Sequence, residues 1–295
     1  MSDDVKKPWG DREISEWFAQ QTVQRSYDRD VVTRLKALPA DKFTVEQYGA
    51  LSFDPARYPL FCVKSSQWDD SKPSILITGG VHGYEPSGII SSVRFLEEIA
   101  PQYEGKVNFV VYPCVSPLAY EYNHRWNQNA QDINRQFYPG TTSDEARLFM
   151  QSVQSLHKRF NIAADLHETN NHDIQLTAER RARDGEAPQQ GDDYIPEGFY
   201  LYIAAGEKDA ALGPQIIDAV GKVTPICAET DIFGDACNNG IITASAITGD
   251  CQTFASQFAD AAMTTEIYPD KTSEVEAQNG QLAAVKASIE YALQK

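Results

Sequence analysis

The chain has 295 residues, 42% of them hydrophobic and 23% charged, which suits a globular core and argues against disorder. Its 42 Asp and Glu outnumber 26 Lys and Arg, and the formal net charge of −16 argues against a nucleic-acid or anionic-membrane surface. No apolar run reaches the roughly 18 residues that a membrane-spanning helix needs.

The N-terminus, MSDDVKKPWGDREISEWF, is polar and lacks an apolar stretch of the kind that marks a secretory signal. The five cysteines are scattered and odd in number, which fits reduced thiols in a cytoplasm better than a disulfide framework. A Cys237–Cys251 pair stays open. Residues 11–38 predict two short helices. "FTVEQYGALSFDPARYPLFCVKSS" alternates β-formers with turn residues and predicts an antiparallel hairpin over residues 43–66. "SILITGGV" is a short apolar run closed by two glycines, as in a strand covered on both faces. "PSGIISSVRFLEEIA" then spaces Ile89, Val93, Leu96 and Ile99 helically, with Pro86 near the start. "VNFVVYP" is the next strand, and Ser143 is a candidate N-cap for a helix over "DEARLFMQSVQSLHKRF". "FNIAADLH" follows as a strand. This alternation predicts an α/β fold with a mostly parallel, mixed β-sheet flanked by helices. Residues 180–198 read as a surface loop, and "GFYLYIA", "PICAE" and "AAMTTEIY" as later strands. Ser273 and Glu276 form a capping box for a final helix to about residue 293. One domain is the simplest organisation, with residues 1–42 as a helical segment packed on a catalytic domain over 43–295.

"GGVHGYEPSG" puts His82 and Glu85 three apart where a strand gives way to a helix, so one helical turn would project both from one face. A catalytic zinc site needs three protein ligands and an open position. A third ligand is expected at the C-terminal end of a neighbouring strand, where open α/β sheets build their sites. His167 ends "NIAADLH". Asp165, two residues earlier, either orients a ligand or forms a salt bridge. His157 reads as a structural cation late in a helix, and His172 as a loop residue, solvated or behind a ligand.

"GGVHGYEPSG", "DINRQF", "DLHET" and "TTEIYP" resemble, in this order, the zinc carboxypeptidases of the carboxypeptidase A type. The likeness begins with the hairpin at residue 43, runs to about residue 270 and implies a carboxypeptidase-like (phosphorylase/hydrolase-like) fold. It implies one zinc ion per chain held by His82, Glu85 and His167. It implies Glu266 as general base and acid, Arg125 as stabiliser of the tetrahedral oxyanion, and Asn134 and Arg135 as the grip on a substrate carboxylate. On the residues alone, Glu168 and Glu229 rival Glu266, and Arg135 has a structural alternative in a salt bridge with Asp132. "TGDCQTF" loosely resembles the family's specificity loop, where Asp250 would favour a basic side chain. The chain departs from the family in one respect: residues 230–260 contain no tyrosine to cap a substrate.

"GGVHGYE", "DINRQF" and "DLHET" also resemble the aspartoacylase and succinylglutamate desuccinylase group, which applies the same chemistry to N-acyl amino acids. Only one helix is expected after Glu266, leaving no room for that group's C-terminal β domain. The expected function is therefore a cytoplasmic zinc metallocarboxypeptidase acting on a peptide with a free carboxylate. The alternatives are an N-acyl amino acid deacylase and a non-catalytic zinc-binding protein on the same fold.

Overall fold

The computed structural model of the protein describes residues 7–204, 211–268 and 272–295. The strands, in chain order, are β1 (Phe43–Ala50), β2 (Pro59–Ser65), β3 (Ser74–Gly79), β4 (Asn108–Tyr112), β5 (Phe160–Leu166), β6 (Tyr200–Ala204), β7 (Asp231–Ile232), β8 (Asp235–Asn238), β9 (Ile241–Ala244) and β10 (Ala259–Glu266). The α-helices are α1 (Asp11–Ala19), α2 (Thr33–Lys36), α3 (Pro86–Arg94), α4 (Pro117–Glu121), α5 (Asp144–Ser155), α6 (His172–Asp184), α7 (Leu212–Val220), α8 (Cys251–Ser256) and α9 (Glu274–Ala292). Among the described residues the strands form one sheet in the order β1-β2-β4-β3-β5-β10-β6-β9-β8-β7. Its centre, β4-β3-β5-β10, is parallel; antiparallel pairs extend it on both sides, with one further parallel pair, β6 with β9. The fold is thus a mixed α/β sheet flanked by helices.

Every residue of β3 and β4 is buried, as expected for parallel strands covered on both faces. Ile75 and Ile77 pack into one apolar cluster, which reaches Val93 of α3 and Ile289 of α9. Leu76, between them, packs into a second cluster with Phe149 of α5 and Phe254 of α8. The period-two alternation of side chains thus divides one strand between two cores. The N-terminal segment rests on the loop that follows α4: the Trp17 ring lies 4.8 Å from His124 and 5.5 Å from Trp126. No helix among the described residues is long and apolar enough to cross a membrane.

Several expected elements form where the sequence indicates. Ser143 Oγ accepts from Ala146 N at 3.3 Å, and Ser273 Oγ from Glu276 N at 3.1 Å, so both caps are made. Others differ. Residues 180–184 belong to α6, whose run of polar residues conceals a helix that buries little beyond Leu176 and Arg181; the loop starts only at Gly185. "PICAE" is not a strand, since Ile226 makes only an isolated bridge to Phe199. His157 lies beyond the end of α5 with a φ of +49°. His172 opens α6 rather than lying in a loop. All five cysteines are buried and free, and Cys237 and Cys251 sit in different clusters, so the open pairing is not made. Residues 1–6 of the N-terminal segment and Pro269 of "TTEIYP" lie outside the described residues.

Candidate metal centre

Three parallel strands end side by side and deliver the central groups. β3 runs out at Gly79 into the loop that carries His82 and Glu85. His167 directly follows β5, and its N–H donates to Thr265 of β10 at 3.0 Å. Glu266 is the last residue of β10. The helix after the loop begins only at Pro86, with Glu85 as its N-cap, so a helical turn is not what aligns His82 with Glu85. The loop's own path does so, and glycine makes the path passable. A Cβ on Gly83 would lie 2.0 Å from Tyr120 N, and one on Gly88 would lie 2.3 Å from the Leu166 carbonyl oxygen.

One donor atom from each of His82, Glu85 and His167 lies within 4.8 Å of the others, and all three residues are buried. His82 Nδ1 is 2.7 Å from Glu85 Oε1, and His167 Nδ1 is 2.9 Å from Glu85 Oε2. The far ring nitrogens are also held, His82 Nε2 by Asp132 Oδ1 at 3.1 Å and His167 Nε2 by Asp165 Oδ2 at 2.9 Å. Carboxylates behind both imidazoles fix the rings and turn their Nδ1 atoms inward. Burial pushes the Glu85 carboxyl up, but the two imidazoles outweigh it and hold the group well below the usual carboxylate range. Burial pushes His167 down, yet Asp165 and Glu85 together hold it well above the usual imidazole value. Two nitrogens and a carboxylate oxygen, already converged and oriented, fit a divalent ion of the zinc type.

The same residues line a cleft of about 450 Å³ together with Glu266, Arg125, Asn134, Arg135 and Asp250. All eight residues to which the carboxypeptidase resemblance gives a role therefore face one space. Glu266 Oε2 accepts from Thr169 Oγ1 at 3.0 Å. Its carboxyl is pushed up to about 8, chiefly by enclosure, with His167 opposing and Glu85 adding to the shift. Arg125 donates from Nε to Asp132 Oδ2 at 2.9 Å and from Nη1 to the Tyr84 hydroxyl at 3.2 Å. Asp132 thus binds Arg125 and His82, and the alternative Asp132–Arg135 salt bridge does not form. Arg135 is exposed and makes no ion pair among the described residues; its Nη1 donates to the Asn134 carbonyl at 2.6 Å. Asn134 Oδ1 accepts from Cys251 N at 2.8 Å. Asp250 caps α8 by accepting from Thr253 N, so its carboxylate is partly engaged.

Of the rivals to Glu266, Glu168 also lines the cleft, but Ser87 N and Asn170 Nδ2 hold both its oxygens. Burial pushes it up to about 7. Glu229 does not line the cleft and accepts instead from the Tyr194 hydroxyl. Sequence reasoning missed four phenols in the cleft: Tyr84, Tyr194, Tyr200 and Tyr202. None lies within residues 230–260. Tyr84 stood in view inside "HGYE". Tyr200 and Tyr202 carried a weaker signal, because their alternation along β6 puts both on one face.

Residues 71–192 match the family model for the succinylglutamate desuccinylase/aspartoacylase catalytic domain. No curated protein sequence matches the chain. Among solved structures, the chain is similar to a candidate metallopeptidase of Shewanella amazonensis, with 19% identity, 92% of this chain and 98% of that one covered, and a TM-score of 0.71. A candidate metallopeptidase of Shewanella denitrificans gives 18% identity, full coverage of both chains and a TM-score of 0.70. A metallo-carboxypeptidase of Pseudomonas aeruginosa, in complex with (2-guanidinoethylmercapto)succinic acid, gives 15% identity over 98% of this chain and 71% of that one, with a TM-score of 0.57. The chain therefore has a carboxypeptidase-like fold, and both resemblances read in its sequence stand: to the carboxypeptidases in fold, and to the desuccinylase and aspartoacylase group across the stretch that holds His82, Glu85 and His167.

Proposed function

We propose that the protein is a zinc-dependent hydrolase that cleaves an amide bond next to a free carboxylate, as a metallocarboxypeptidase. One observation carries this reading: three buried donor atoms converge at the wall of a cleft that Glu266, Arg125, Asn134 and Arg135 also line. His82, Glu85 and His167 would hold the ion. When bound, it supplies positive charge that polarises a carbonyl and makes water a better nucleophile near neutral pH.

The remaining work falls to the chain. Glu266 accepts the proton of the attacking water at its carboxylate and returns it to the leaving nitrogen. Enclosure raises this carboxyl, which favours holding the proton until the leaving nitrogen takes it. Arg125, held by Asp132 and Tyr84, offers its remaining N–H groups to the oxygen that gains negative charge. Arg135 meets the substrate carboxylate with a guanidinium that makes no ion pair among the described residues, and Asn134 offers its amide beside it. We assign residues 1–42 and 43–295 to a single domain, with the first segment resting against the loop that bears Arg125.

Glu266→Gln is the direct test. The variant is expected to keep its metal by elemental analysis and to lose about 10²- to 10⁴-fold in kcat. Wild-type turnover in that variant on a confirmed substrate would remove Glu266 from the mechanism. The match of residues 71–192 favours a second reading, deacylation of N-acyl amino acids. Parallel assays of C-terminal peptides and of N-acetyl or N-succinyl amino acids decide between the two. A non-catalytic metal-binding protein would show no turnover in either assay, with or without zinc.

A further inference from the structure

β7, β8 and β9 form two consecutive hairpins, each closed by two residues. At both turns the two closing residues have positive φ: Asn239 (+52°) with Gly240 (+73°), and Phe233 (+56°) with Gly234 (+90°). Asn-Gly is the pair such a turn favours, because both residues tolerate the left-handed region. Phenylalanine does not, and a bulky side chain at positive φ is an outlier that calls for a reason. The turn itself supplies none, since the same chain builds the neighbouring turn with asparagine.

Packing supplies only one ring contact among the described residues. Phe233 is 60% exposed, the joint highest exposure among the large hydrophobic side chains of the described residues. Its ring meets Tyr194 edge-on at 5.3 Å and 76°, and the Tyr194 hydroxyl is anchored on Glu229. Ile247, 49% exposed, lies on the same cavity wall system, and Phe233, Tyr194, Ile195 and Ile247 all line the cleft that holds His82, Glu85 and His167. A strained backbone and an unburied phenyl ring therefore meet at one residue, on the lip of the metal cleft. Beyond its edge contact with Tyr194, the ring gains further cover only when something occupies the cleft.

We propose that Phe233, with Tyr194 and Ile247, forms a recognition lip that takes an aromatic or large aliphatic side chain of a peptide substrate. The inference rests on the reading of the cleft as a hydrolase site and deepens it. A small N-acyl amino acid held at Arg135 and the metal has no second apolar side chain to present. A peptide has one on either side of the scissile bond. Phe233 is then a specificity residue that acts through contact with substrate.

Zinc-loaded Glu266→Gln protein, which binds without appreciable turnover, is titrated calorimetrically with the N-acetyl dipeptides Ala-Ala, Phe-Ala and Ala-Phe. One of the two Phe ligands is expected to bind about tenfold or more tighter than Ala-Ala. Adding Phe233→Asn, which suits the turn and removes the ring, is expected to reduce that advantage to about threefold or less without lowering the melting temperature. Ile247→Ala, which leaves the turn intact, is expected to reduce it as well. Equal binding of the three ligands, or an advantage that survives Phe233→Asn, overturns the lip and leaves the hydrolase reading intact. If no dipeptide binds the zinc-loaded protein, the reading of the metal and carboxylate site falls, and the lip falls with it.

Discussion

The two ends of the cleft are built in opposite ways. At the metal end, His82, Glu85, His167, Asp132 and Asp165 are all buried, and each carboxylate or imidazole touches at least one other member of the group. At the mouth, Phe233, Asp235 and Ile247 are exposed, and the supporting elements are two short hairpins and the segment that follows α6. Chemistry at the first end needs positions fixed to within fractions of an ångström, which burial and mutual bonding provide. The recognition proposed for the second needs surface left open for a partner. Substitutions should therefore be severe at the metal end and mild at the mouth.

The sharpest way to break that contrast is Gly83→Ala. Its added Cβ meets backbone on α4 rather than a yielding side chain. A loss of about 3 kcal/mol or more is expected, at the top of the range for overpacking, read by urea denaturation. A smaller loss would mean that the metal loop has slack. Asp132→Asn comes next. The carboxylate bridges His82 Nε2 and Arg125 Nε, and removing its charge is expected to weaken zinc binding about 10- to 100-fold in a chelator competition. Wild-type affinity would show that the imidazole is fixed without Asp132. Tyr194→Phe should be the mildest, costing about 1 kcal/mol or less, because the hydroxyl it removes is shared between Glu229 and the Asp231 carbonyl in partly exposed bonds at the mouth. A melting temperature far below that of the wild type would make the mouth as tightly built as the metal end.

The legibility of the sequence follows the same division. Runs such as "SILITG" and "NFVVY" announce parallel strands because both of their faces are buried, and the residues at their ends point to a site at one edge of the sheet. α6 escaped notice because it buries little, so its sequence carries almost no apolar stripe. β7, β8 and β9 escaped because strands of two to four residues are too short to establish an alternation. The alternative Asp132–Arg135 bridge was local in the chain, whereas Asp132 is taken up by His82, 50 residues away, and by Arg125.

By itself the sequence determined the α/β rhythm, two of the helix caps, and the set of residue types that a metal hydrolase needs. These are properties of periodicity and of side-chain chemistry, and they survive without coordinates. Only the tertiary structure decided which groups meet. It brought His82, Glu85 and His167 within reach of one ion, set Asp132 and Asp165 behind the imidazoles, and engaged one oxygen of Asp250 in a helix cap. It also turned Phe233 outward at the mouth. Distances between residues far apart in the chain depend on how strands order themselves across a sheet, and no local pattern encodes that order.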